Sequence, residues 1–133
     1  MQTDRVTTSM TTAAVVLAAG AGSRFAGPQH KLRTRLADGR TLAEHAVAAA
    51  RASAIGPVVV VVGATPLELP DEIAGDVEQV TNPHWATGQA SSLQTAVAAA
   101  RRLGVDAIVV GLADQPGIPA EAWRRVAAST SPI

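Results

Sequence analysis

The chain has no cysteine and no tyrosine, and among its 133 residues there are three aromatics (Phe25, Trp85, Trp123) and a single lysine. Without cysteine there are neither disulfides nor thiolate metal sites. Aromatics make up 2% of a chain that is 47% hydrophobic, so its core must be built from alanine, valine, leucine and isoleucine. The length suits one domain of ordinary size. An excess of charge of one sign is also missing: eleven basic side chains balance eleven acidic ones, which removes the electrostatic basis for binding nucleic acid or an anionic membrane. No apolar run approaches the ~20 residues of a membrane span. Residues 1–12 are polar and threonine-rich, without the apolar stretch of a secretory signal. They read as a flexible tail ahead of a domain over 13–133, and the whole as a cytoplasmic protein.

What is present is concentrated between Val15 and Leu32. Ala13 to Leu17 is a short apolar run, the pattern of a strand buried on both faces of a parallel sheet. Ala18, Ala19, Gly20, Ala21 and Gly22 follow with almost no side chain, so the backbone can turn sharply and bring N–H groups close to an anion. Arg24 and Lys31 add two cations. Ten arginines supply the remaining basic charge, so the one lysine marks a position that suits a compact ammonium. Phosphates of a nucleotide fit this combination, and so does a plain tight turn with two surface cations. Two phosphate-binding patterns are excluded by the letters. A dinucleotide fingerprint needs a third glycine where Phe25 stands, and a P-loop needs Ser or Thr after its lysine, where Leu32 stands.

Further along, Leu32 to Leu36 alternates apolar and polar residues ahead of Asp38-Gly39, which suggests a hairpin or extended arm. Thr41-Leu42-Ala43-Glu44 is a capping box opening a helix to about Ser53, with Leu42, Ala46, Val47, Ala49 and Ala50 for packing. Gly56-Pro57 stops it. Val58 to Val62 reads as a second buried strand, and Glu78 to Val80 as a short third one after the proline-rich 66–70. Ser91-Ser92-Leu93-Gln94 is a second capping box, opening an alanine-rich helix to about Leu103. Asp106 to Leu112 is another strand, with Asp114 just past its carboxyl end. This alternation predicts an α/β fold: an open, mostly parallel, Rossmann-like sheet with helices on both faces. In such a sheet the ligand crevice lies outside the carboxyl ends of the strands, where strand order reverses. Asp114 and the Gly20 loop therefore belong along one edge. Asp114 is then either a turn aspartate ahead of Pro116-Gly117 or a Mg²⁺ ligand beside substrate phosphates.

The run L-A-A-G-x-G-x-R-F with a following K-L closely resembles the loop of nucleotidyltransferases. With Asn82-Pro83-His84-Trp85-Ala86-Thr87-Gly88 through Leu93, and Leu112-Ala113-Asp114-Gln115-Pro116, the chain resembles the molybdenum cofactor cytidylyltransferase family, within the broader MobA-like NTP transferases, from Ala13 to about Val126. The resemblance implies transfer of CMP from CTP to a phosphorylated acceptor, molybdopterin, with release of pyrophosphate and Mg²⁺ as cofactor. It implies that Leu17, Ala18, Ala19, Gly20, Ala21, Gly22 and Ser23 cradle the nucleotide and that Gly88, Ser91 and Ser92 line the nucleotide and acceptor pocket. Arg24, Lys31 and Asp114 would carry the reaction, with Asp114 holding the metal. Ser91 and Ser92 read equally well as helix caps, and Trp85 beside a proline as a packing anchor. Three alternatives stay open. A guanylyltransferase using GTP tends to show L-A-G-G in place of Leu17-Ala18-Ala19-Gly20. Sugar-phosphate and isoprenoid cytidylyltransferases typically lack the N-P-x-W and D-Q-P stretches. A nucleotide-binding accessory protein would bind without turnover. Members of the family continue well past the position of Ile133, which implies an incomplete nucleotidyltransferase fold, a fragment or degenerate member, with an exposed sheet edge that invites self-association.

Overall fold

Five consecutive valines have no polar face, so Val58–Val62 is stable as a strand only where both faces are covered. All five are buried. The computed structural model describes residues 11–19, 39–63, 66–115 and 117–129, and within them this strand, β2, lies between β1 (Thr12–Leu17) and β3 (Val77–Thr81). A further strand, β4 (Ala107–Leu112), pairs with the other side of β1. The order is β3-β2-β1-β4, every pairing parallel. Strand order reverses at β1: β2 and β3 step outward to one side and β4 to the other.

Among the described residues four helices flank this sheet: α1 (Leu42–Ser53), α2 (Asp71–Ala74), α3 (Gln89–Leu103) and α4 (Ala120–Ala128). The start of α1 is encoded locally. Thr41 Oγ1 accepts from the Glu44 N–H at 3.1 Å, and the Thr41 N–H donates to Glu44 Oε1 at 3.0 Å, a complete capping box. Ala43, Ala46, Val47 and Ala50 of α1 pack with Ala14, Val16, Val58 and Val60, and Ile73 of α2 and Trp123 of α4 join the same layer. On the opposite face Ala96 and Ala99 of α3 pack with Val15, Leu17, Val59 and Val61. Alternate residues of each strand thus enter opposite cores, as the period of two requires, and the expected parallel α/β sheet with helices on both faces is what forms.

The structure differs from the sequence reading in three respects. Thr11 and Thr12, read as the end of a tail, belong to the sheet: Thr12 opens β1, and the Thr11 N–H and hydroxyl both donate to Asp106 Oδ2 at 3.1 and 3.0 Å. Helix α3 begins at Gln89, ahead of the Ser91 capping box. Helices α2 and α4 have no counterpart in the sequence reading, since each follows a proline (Pro70, Pro119) without a side-chain cap and so lacks the usual start signal. The arm read at Leu32 to Leu36 lies outside the described residues. Among those residues, no helix is long and apolar enough to cross a membrane.

Candidate active site at the carboxyl edge

β1 and β4 end level with each other, Leu17 opposite Leu112. Just beyond, the Ala113 N–H donates to Leu17 O at 3.0 Å and the Ala18 N–H to Val61 O at 2.8 Å. The chain therefore leaves the sheet side by side at Ala19 and Asp114, both half-buried, at the point where strand order reverses. Leu17 and Ala18 are still part of the ladder and almost fully buried. The Ala18 N–H is committed to Val61 O, and Leu17 O accepts the Ala113 N–H. Gly20, Ala21, Gly22, Ser23, Arg24 and Lys31 lie outside the described residues.

Among the described residues no three His, Asp or Glu side chains gather around one point. Asp114 offers a carboxylate at the edge, a donor that fits a magnesium-like ion completing its shell with phosphate oxygens and water. Beside it a cavity of about 240 Å³ opens between the start of α1 and the loop ahead of α4, lined by His45, Ala46, Gln115, Gly117, Ile118 and Pro119.

The other side of the edge is built on Asn82, which the sequence reading passed over within its motif. Its N–H donates to Val62 O at 2.8 Å, carrying the ladder one residue past β3. Its side chain, 1% exposed, turns back under the following loop. Nδ2 donates to Ser91 Oγ at 2.8 Å and to Ser92 Oγ at 3.0 Å, while Oδ1 accepts the His84 N–H at 2.8 Å. Ser91 Oγ in turn lies 2.9 Å from His84 O and 2.8 Å from Gly88 O. This corrects the capping expectation for Ser91 and Ser92. The helix begins three residues earlier because Gly88, at φ 123°, turns the chain into α3 as its N-cap with no side-chain bond, and the serine hydroxyls are engaged by Asn82. The signal in the sequence was an asparagine ahead of a proline, the pattern of an Asx turn. Trp85, on a 3₁₀ turn over Trp85–Thr87, stacks against Gly63, where a Cβ would come within 3.0 Å of its Cγ. It serves there as the packing anchor its setting suggests.

Known proteins share this fold. A nucleotidyl transferase from Methanothermobacter thermautotroptrophicus superposes with a TM-score of 0.73 and 33% identity, over 89% of this chain and 57% of that one. Rv0371c from Mycobacterium tuberculosis H37Rv gives 0.62 and 26% over 90% and 60%, and its complex with manganese 0.57 and 25% over 90% and 59%. The bifunctional protein GlmU of Caulobacter vibrioides is 39% identical over 82 residues, which are 59% of this chain and 18% of that protein. The chain thus spans less than two thirds of the length of each. The MobA-like NTP transferase domain matches residues 14–132, an interval that holds both edge loops and the Asn82 turn, and the chain belongs to that family.

Proposed function

We propose that the chain forms the nucleotide site of a cytoplasmic nucleotidyltransferase that moves CMP from CTP to a phosphorylated acceptor, molybdopterin by the resemblance of its motifs. The observation that carries this reading is the Leu17–Leu112 pairing with the Ala113–Leu17 bond, which brings the start of the glycine loop and Asp114 to one spot at the switch point. Membership of an NTP transferase family supports a nucleoside triphosphate as donor.

In the reaction an oxygen of the acceptor phosphate attacks the α-phosphorus of CTP in line, the bond from that phosphorus to the β-bridging oxygen breaks, and pyrophosphate leaves with the electron pair. No covalent enzyme intermediate is required, so positioning and charge stabilisation carry the rate. Main-chain N–H groups from Ala19 to Gly22, with Ser23, hold the phosphates. Arg24 and Lys31 neutralise charge on the β and γ groups and on the departing pyrophosphate. Gly88 lets the opposite turn approach the nucleotide closely. Asp114 holds a divalent ion, which supplies Lewis-acid charge neutralisation when bound. We assign Mg²⁺ to this position, and the manganese named with the Rv0371c structure supports a divalent ion in the family. Leu17-Ala18-Ala19-Gly20 in place of L-A-G-G favours cytidine over guanosine.

The test supplies CTP or GTP with molybdopterin and Mg²⁺ or Mn²⁺ and quantifies pyrophosphate and nucleotidylated acceptor. CTP-dependent transfer is expected. Preference for GTP would make the protein a guanylyltransferase, binding without pyrophosphate release an accessory protein, and failure to bind any nucleotide would overturn the reading.

A further inference from the structure

We infer that Asn82 is a positioning residue, setting the nucleotide-side turn 83–88 by engaging the Ser91 and Ser92 hydroxyls, so that those hydroxyls do not contact the ligand. The inference rests on the nucleotidyltransferase reading and reassigns two residues within it.

Both amide donors are committed. A neutral primary amide brings two N–H donors and a carbonyl acceptor on a short stem, and Asn82 uses one N–H on each serine while its oxygen accepts the His84 N–H. Ser92 is 1% exposed, so no ligand reaches its oxygen without opening the helix start. Ser91 Oγ accepts from Asn82 and has one proton for the two carbonyls beside it, His84 O and Gly88 O. A phosphate that accepted the Ser91 proton would take it from the His84 and Gly88 carbonyls and so undo the bond that ties the turn to the helix start. The turn has its own short-range bonds, the Thr87 N–H and hydroxyl both donating to His84 O at 2.9 and 2.7 Å, but little apolar burial. Pro83, His84, Ala86, Thr87 and Gly88 are exposed, Trp85 on Gly63 is its apolar anchor, and segments with few buried contacts open at low cost. Through Asn82 three elements meet: the end of β3 with its β2 neighbour Val62, the turn, and the first turn of α3. Asparagine meets this need where aspartate, serine or alanine does not.

The experiment uses the full chain and measures CTP and GTP binding by calorimetry with Mg²⁺, alongside thermal unfolding, for wild type, Asn82→Ala, Ser91→Ala and the double variant. Ile73→Ala, a core change on the α1 face, serves as a control for stability. Asn82→Ala is expected to weaken nucleotide binding roughly tenfold to a hundredfold, the effect of two to three lost neutral hydrogen bonds. Ser91→Ala should cost less, and the double variant should bind like Asn82→Ala, because residues in one network are not additive. Ile73→Ala should melt earlier and bind like wild type. If Asn82→Ala does not fold, Asn82→Asp replaces it, retaining the acceptor for His84. Additive losses would mean that Ser91 touches the nucleotide itself and would overturn the inference, as would undiminished binding by Asn82→Ala. A wild-type chain that binds neither nucleotide defeats the nucleotidyltransferase reading and this inference with it, whereas equal tight binding by wild type and Asn82→Ala defeats this inference alone.

Discussion

Two charged side chains give the sharpest tests at the scale of single residues. Lys31 is the chain's one lysine, and in the proposed site its ammonium neutralises phosphate, so Lys31→Ala should lose a charge-assisted contact of roughly 1.5–3 kcal/mol. Calorimetric titration with CTP reads that loss directly, and unchanged affinity would remove Lys31 from the site. Asp114 is half-buried one residue past the Ala113–Leu17 bond. Because it stands beyond the end of β4 and outside the packed cores, Asp114→Asn should leave thermal unfolding close to wild type. It should also flatten the Mg²⁺ dependence of nucleotide binding, and Mg²⁺ titrations superimposable on wild type would exclude the metal role. Lys31 could be singled out from composition. Asn82 could not, since its importance arises from two serines nine and ten residues further on that approach it only when α3 folds back against β3.

Among the elements, α1 shows how far local code reaches. Thr41 and Glu44 are three residues apart and satisfy each other's backbone, so the helix start could be read from four letters. Thr41→Ala should cost about 0.5–2 kcal/mol in urea unfolding. The start of α3 carries the same kind of letters at Ser91 but does not use them, because Asn82 engages Ser91 and Ser92 and Gly88 supplies the turn into the helix. Helix α4 depends on tertiary contact more heavily. Trp123 is its buried residue, 4% exposed in the layer shared with α1, and its indole Nε1 has no hydrogen-bond partner among the described residues. Trp123→Ala should therefore destabilise by about 3–5 kcal/mol through lost burial and a cavity. Trp123→Phe should cost much less, since it also removes a buried, unpaired N–H worth about 1–3 kcal/mol. Equal losses for the two variants in urea unfolding would contradict this account.

For the molecule as a whole, the consequence of the strand order is an edge. β4 has no neighbour among the described strands on its outer side, and Val110, on the face it shares with Ile108 and Leu112, is 39% exposed. Exposed strand edges with apolar side chains pair with other chains unless charge intervenes. The chain is expected to self-associate at micromolar concentration, and Val110→Lys to shift sedimentation toward the monomer. A wild-type chain that sediments as a monomer would show that this edge is already blunted.

What the sequence determined by itself is whatever a short stretch can satisfy within its own span. The valine runs of β1 and β2 demanded burial on both faces, the Thr41 box started α1, and the glycine loop followed a strand as the motif requires. Parallel pairing, and with it helices on both faces, follows from strands joined through helices. The order β3-β2-β1-β4 was not written in any stretch, nor was the placement of Asp114 beside Ala19, more than ninety residues earlier in the chain, nor the use of Ser91 and Ser92 by Asn82. Each of these depends on which surfaces meet after the sheet has formed. Letters describe bonds a segment can make with itself, and competition from distant partners for the same hydroxyls, carbonyls and apolar faces is settled only by the tertiary structure.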